Sequence, residues 1–309
     1  MAVNTRKSDK VGLLKINRTN DAVFKNIFAN KKYKDITLSF INAVLEFEGT
    51  AQLKYITFLD REINGEYDNE KDSRLDLLGE SSDGTKVNIE IQVASISAMG
   101  KRSLFYWCRI YNDLDEGHDY TELKRTVSIN VLDFNLFESQ KYTSYHSCFG
   151  IYDIKTGNHL TDDFEIHFVE LPKWKQNIIN DKEEIDNYKL KTLNRLEKWI
   201  CYFSKRTSEK ELEAIAMTEP AIKKALDAES IFMHDKTMWW EYEKAEKTRR
   251  DKIAQMNYWK NEARLEGLQQ GIQQGSLSTL INLVKKGMLT VQEAAEEAGM
   301  SVAEFQNKI

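Results

Sequence analysis

The chain has 309 residues, of which 41% are apolar and 30% charged, with a formal net charge of −5 and only two prolines. That length can bury a sizeable core in one large domain or two smaller ones, and that composition excludes a disordered chain. The acidic sum lacks the basic excess usual in a nucleic-acid binder, yet steering depends on local patches rather than on the total.

The three cysteines, Cys108, Cys148 and Cys201, form no CxxC pair. Their number and spacing argue against a disulfide framework and against a structural zinc site. The N-terminus MAVNTRKSDK lacks the apolar stretch of a signal peptide, and no apolar run approaches the ~20 residues that span a bilayer. A cytoplasmic protein with no membrane partner is expected.

Residues 1–18 read as a basic arm. Thr19-Asn20-Asp21 offers helix-capping chemistry, and Val23, Phe24, Ile27 and Phe28 then fall on one helical face. A second helix over 35–47 repeats the pattern with Ile36, Phe40, Ile41, Val44 and Leu45. Residues 51–63 predict a strand and turn, and 64–73 are polar and turn-like. Two short apolar runs follow, 74–78 and 86–93, separated by Ser82-Asp83-Gly84-Thr85, and Asp-Gly is a strong hairpin signal. The second run alternates, with Val87, Ile89, Ile91 and Val93 on one side and Asn88, Glu90 and Gln92 on the other.

A helix is predicted over 98–115 from Leu104, Trp107, Ile110, Tyr111 and Leu114. Strands are predicted at 126–137 and near 163–170. Residues 19–175 therefore form an α/β domain. Residues 181–265 are a helical region dense in Lys and Glu. The tail, 266–309, carries Gly267, Gly271 and Gly275 four apart, which suits either a glycine-weakened surface helix or a self-associating one. Thr290/Glu293 and Ser301/Glu304 have capping-box spacing, which outlines a small helix-turn-helix-like unit. A homodimer or larger homo-oligomer through these C-terminal helices is expected.

The chemistry sits in the hairpin. If the strands pair about Asp83-Gly84, the Asp76 and Glu90 carboxylates converge. Together with the Ile91 carbonyl they suit a hard divalent ion, which polarises a phosphoryl oxygen and lowers the pKa of bound water. From spacing alone, D-x(13)-E-x-Q is a weak pattern, and an edge Asp with a solvated Glu/Gln face explains it as well. Asp21 is either a third metal ligand or a helix cap. Lys25, one turn on, either contacts phosphate or pairs with Asp21. Lys71 and Arg74 either approach a phosphate backbone or are solvated charges. Arg102 and Tyr106 lie four apart on one helix face. The Phe105-Tyr106-Trp107 run is read as core ahead of a base-stacking platform. The five histidines show no linear metal-ligand spacing and are read as structural or exposed.

The run RLDLLGESSDGTKVNIEIQ resembles the core of the PD-(D/E)XK nuclease superfamily. It is most similar to the recombination-promoting (Rpn) nucleases, also labelled PD-(D/E)XK nuclease family transposases. Asp76, Glu90 and Gln92 match that family's strand Asp and Glu-x-Gln. The helix DAVFKNIF resembles its opening Asp-x-x-Phe-Lys helix, and Arg102, Tyr106 and Gly117-x-x-Tyr120 also fit. The likeness covers residues 19–170 and weakens in the C-terminal helices. It implies a restriction-endonuclease-like mixed sheet flanked by helices and followed by an all-helical C-terminal region. It also implies an Mg²⁺-dependent DNA endonuclease, with Mn²⁺ or Ca²⁺ as other ions for the site, and roles in recombination, mobile elements or phage defence. Gln92 stands where the superfamily usually has Lys, so it can orient water but carries no charge. Leu75 stands where the superfamily has Pro. The alternative is a catalytically inactive or restrained nuclease fold that acts as a DNA-binding or assembly module.

Overall fold

The computed structural model describes residues 16–59, 62–63, 73–93, 98–112, 117, 119–174 and 185–309. Two helices open the fold, α1 (Asp21–Phe28) and α2 (Lys34–Val44). Asn20, rather than Asp21, caps α1, accepting a hydrogen bond from the Ala22 N–H. Asp21 occupies the first helical turn, where a negative charge favours the helix dipole. Val23, Phe24, Ile27 and Phe28 are all buried, as their spacing predicts.

A six-stranded sheet follows in the order β1-β4-β5-β6-β8-β7, with a separate two-stranded pair, β2 (Glu62–Ile63) and β3 (Ser73–Arg74). The sheet strands are β1 (Ile56–Phe58), β4 (Leu77–Ser81), β5 (Lys86–Gln92), β6 (Thr126–Leu132), β7 (His146–Tyr152) and β8 (His159–Glu170). β4 and β5 form the expected antiparallel hairpin, Leu77 opposite Ile89. Its turn needs the left-handed backbone of Gly84, whose φ is 84°. β5, β6 and β8 run parallel, and β7 pairs antiparallel on β8 at the edge. The sheet is therefore mixed, as expected.

Helix α3 (Met99–Tyr111) crosses one face. Two polar bonds register it there, and a third within the sheet holds the residue that one of them reaches. The Trp107 Nε1–H donates to the Thr126 carbonyl at 2.7 Å, the Ser103 hydroxyl bonds Asn130 Oδ1 at 2.8 Å, and Asn130 Nδ2 donates to the His167 carbonyl at 3.1 Å. The buried stripe is Met99, Ser103, Tyr106, Trp107 and Ile110. Leu104, expected on that stripe, is 46% exposed because it falls one position off it. Leu114 lies outside the described residues. The sequence pattern does not predict β7. As an edge strand it buries too little of HSCFGIY to leave an alternating pattern.

The second face carries the main core, to which the later helices contribute: α4 (Asn187–Thr192), α5 (Arg195–Phe203), α6 (Glu209–Ala216) and α7 (Pro220–His234). Trp199 and Phe203 of α5 meet Phe28 and Phe40 at ring-centroid separations of 5.3–5.8 Å. Such aromatic pairs add to the area they bury. Arg18, at the end of the basic lead-in, is itself buried. It forms a two-pronged ion pair with Glu229 of α7, at 2.7 and 2.8 Å.

The chain divides into units 1–246 and 247–309, and the division falls within the 50-residue helix α8 (Lys236–Lys285). In the second unit, Leu280 packs with Ala294 and Ala295 of α9 (Val291–Glu297) and Phe305 of α10 (Val302–Gln306). Both short helices begin with complete capping boxes, at Thr290/Glu293 and Ser301/Glu304. Gly267, Gly271 and Gly275 face open space. Among the described residues, no helix is long and apolar enough to cross a membrane.

Candidate active site

Asp76 sits one residue before β4 and, by the hairpin register, opposite Glu90 on β5. The backbone holds both carboxylates. The Asp76 N–H donates to Glu90 Oε1 at 3.3 Å, and Asp76 Oδ2 accepts from the Ile91 N–H at 2.9 Å. Glu90 is 2% exposed and Asp76 9%. An edge Asp beside a solvated Glu, the bland reading of the spacing, does not describe this pair.

Burying two like charges together is costly, so both groups hold their protons more tightly. Burial pushes Asp76 up to about 6. The Ile91 N–H and Lys25 oppose that rise, and the nearby Asp21 carboxylate adds to it. Burial pushes Glu90 up to about 7, the Asp76 charge adds to the rise and Arg102 opposes it. A buried pair of acids poised near neutrality is a candidate functional site on physical grounds.

Two cations answer these carboxylates, each from a helix. Lys25 Nζ on α1 lies 2.6 Å from Asp21 and 3.4 Å from Asp76. Arg102 on α3 lies 3.5 Å from Glu90, and its guanidinium stacks over the Tyr106 ring at 4.6 Å. Tyr106 is 5% exposed and packs with Leu75 and Ile110, so it supports Arg102 from beneath. Phe105, its neighbour, is half exposed, whereas Trp107 is core. Gln92 ends β5, partly exposed, and its carbonyl accepts from the Asp133 N–H at 2.9 Å. Alternation puts its side chain on the Glu90 side of the strand.

The structure thus gathers Asp21, Lys25, Asp76, Glu90 and Arg102 at one place. Lys71 lies outside the described residues, and so does the side chain of Arg74. The polar side chains of Asn88 and Ser128, paired across β5 and β6 on the Glu90 face, are buried and have no hydrogen-bond partner among the described residues. The sequence alternation placed Asn88 there, but only the parallel pairing with β6 brings Ser128 beside it.

A family model described as PD-(D/E)XK nuclease family transposase matches residues 18–259. No curated protein and no solved structure matches the chain. The match extends well past the hairpin, in keeping with helices α4–α7 contributing to the same core as the sheet.

Proposed function

Because this chain belongs to the PD-(D/E)XK nuclease family transposases, we propose that it is a divalent-metal-dependent endonuclease that hydrolyses phosphodiester bonds in DNA. The observation that carries this reading is the buried Asp76–Glu90 pair. Burial pushes both carboxylates toward neutrality, with the Asp21 charge adding to the rise at Asp76 and the Asp76 charge adding to that at Glu90. Oxygen donors with a surplus of negative charge in a dry setting suit a hard cation such as Mg²⁺, with Mn²⁺ or Ca²⁺ as other occupants.

Asp76 and Glu90 would hold the ion, with the Ile91 carbonyl as a neutral donor and Asp21 as a further carboxylate. The bound ion supplies Lewis acidity and a more acidic water. Gln92 orients the attacking water through its amide. Lys25 supplies the positive charge that Gln92 lacks, delivered from α1 instead of from β5. Arg102, propped on Tyr106, presents a guanidinium to a phosphate oxygen. Lys71 and Arg74, which precede Asp76 in the sequence, are further candidates for contact with the phosphate backbone. DNA breakage during recombination, at mobile elements or in phage defence is the setting this chemistry serves.

The test is cleavage of supercoiled plasmid with Mg²⁺, Mn²⁺, Ca²⁺ or EDTA, beside Asp76→Ala and Glu90→Ala. Nicking or linearisation that requires the ion, and that both variants lose by at least ~10²-fold, is expected. Cutting that survives in both variants would place the activity elsewhere. DNA bound but never cut under any ion would favour the restrained or inactive alternative.

A further inference from the structure

On the sheet face opposite Glu90, three side chains of different chemistry meet at the edge. Glu90, Asn130 and Phe168 are paired across β5, β6 and β8 and share one face. Glu165 and His167 alternate to the other. Cys148 of β7 is the direct cross-strand partner of His167. One ligand atom from each of Cys148, Glu165 and His167 lies within 4.8 Å of the other two. His167 Nε2 is 3.7 Å from Cys148 Sγ and 3.1 Å from Glu165 Oε2.

We propose that Cys148, Glu165 and His167 form a site for a borderline-soft divalent transition ion of the Zn²⁺ type, separate from the nuclease centre. A tetrahedral ion with bonds of about 2.0–2.3 Å holds its donors roughly 3.3–3.8 Å apart, which is the spacing around His167 Nε2 to within a few tenths of an ångström. The donor set of one sulfur, one imidazole nitrogen and one carboxylate oxygen suits zinc and disfavours Mg²⁺ or Ca²⁺, which avoid sulfur.

Each of the two polar ligands on β8 has an outer partner. His167 Nδ1 lies 3.0 Å from His146 Nε2, which leaves Nε2 directed at Cys148 and Glu165. Arg125 holds Glu165 Oε1 at 2.6 Å and leaves Oε2 for the ion. Metal sites use such partners to fix ligand orientation. His167 is buried while Cys148 is exposed, so an ion could reach the cluster from solvent. As the Sγ–metal bond forms, the thiol releases its proton to solvent. The bound ion would staple the edge strand β7 to β8. Linear spacing argues against zinc in this chain only because the ligands come from two strands paired across the sheet edge.

The full-length protein, stripped with chelator, is titrated with Zn²⁺ by calorimetry and with Co²⁺ as a spectroscopic probe. One ion per chain is expected to bind in the Asp76→Asn/Glu90→Gln double variant, with a thiolate-to-cobalt charge-transfer band and a Zn²⁺-dependent rise in Tm. Cys148→Ala removes the band and lowers affinity by at least ~10-fold, and Glu165→Gln weakens binding while keeping the band. Both positions are partly solvent-facing, so these variants test the site even if His167→Ala fails to fold. Zn²⁺ binding unchanged by Cys148→Ala, a cobalt spectrum without the thiolate band, or no binding in the double variant would overturn the proposal.

Discussion

Asp76 and Glu90 are bound to each other through the main chain: the Asp76 N–H donates to the Glu90 carboxylate, and the Asp76 carboxylate takes the next N–H along, that of Ile91. The hairpin thereby holds two acids side by side in a place where water reaches neither well. Their ordinary values of 3.8 and 4.5 rise to about 6 and about 7.

That rise has a direct consequence for stability. Both groups bind protons more tightly folded than unfolded, so the metal-free protein keeps their full contribution below their ordinary values. It loses that contribution as pH rises through about 6 to 7. In EDTA, Asp76→Asn and Glu90→Gln are each expected to raise stability at pH 8 by on the order of 1–3 kcal/mol, with the gain vanishing near pH 4. Mg²⁺ should stabilise the unsubstituted chain increasingly from pH 6 to 8, because the ion competes with protons for the same oxygens. Thermal melts across pH, with and without Mg²⁺, check both. A pH-independent difference between the variants and the parent would show that the pair is solvated.

Lys25 provides the second prediction. It reaches Asp76 from a different element, so its charge is separable from the hairpin. Lys25→Met should lower the rate of cleavage by about 10²–10³-fold while leaving the Tm nearly unchanged, and Lys25→Arg should retain part of the activity. Equal losses in Met and Arg variants would mean that geometry at α1, not charge, matters.

The Arg18–Glu229 pair couples the start of the fold to α7. Its side chains are 9% and 5% exposed, and Arg18 also lies over the Tyr202 ring at 5.2 Å. Removing one partner leaves a buried charge, so Glu229→Ala or Arg18→Ala is expected to cost ~3–5 kcal/mol. The Arg18→Met/Glu229→Leu double variant should recover most of that loss. Urea unfolding of the four proteins decides it, and single-variant costs below ~1 kcal/mol would contradict a buried pair.

Glu46 follows the end of α2 with φ of 55°, the one non-glycine among the described residues in that region. It closes the helix in the usual way, the Phe47 N–H donating back to the Asn42 carbonyl at 2.9 Å. Its side chain is 78% exposed and lies 3.8 Å from His146. Glu46→Gly should stabilise the chain by about 0.5–1 kcal/mol by removing the Cβ clash of the left-handed backbone. A lower Tm in Glu46→Gly would show that the contact with His146 outweighs the strain.

Much of this protein is decided locally, and those parts are legible in the sequence. The Asp83-Gly84 turn fixes the hairpin register and so sets Asp76 opposite Glu90. The alternation from Val87 to Gln92 separates the polar face from the core face. The spacing of Phe24, Ile27 and Phe28 marks the buried side of α1. Each depends on neighbours a few residues apart, where the backbone period alone decides which side chains face together.

Other features depend on contacts between distant segments. The approach of Lys25 and Arg102 to the two acids depends on how α1 and α3 dock, which no spacing within either helix encodes. Tyr106 turns inward because Leu75 and Ile110 meet it there. His167 faces Cys148, and Ser128 faces Asn88, through strand pairings between residues 19 and 40 positions apart. Packing of segments far apart in the chain makes those juxtapositions, and sequence periodicity is blind to them because it reports only what repeats within one element.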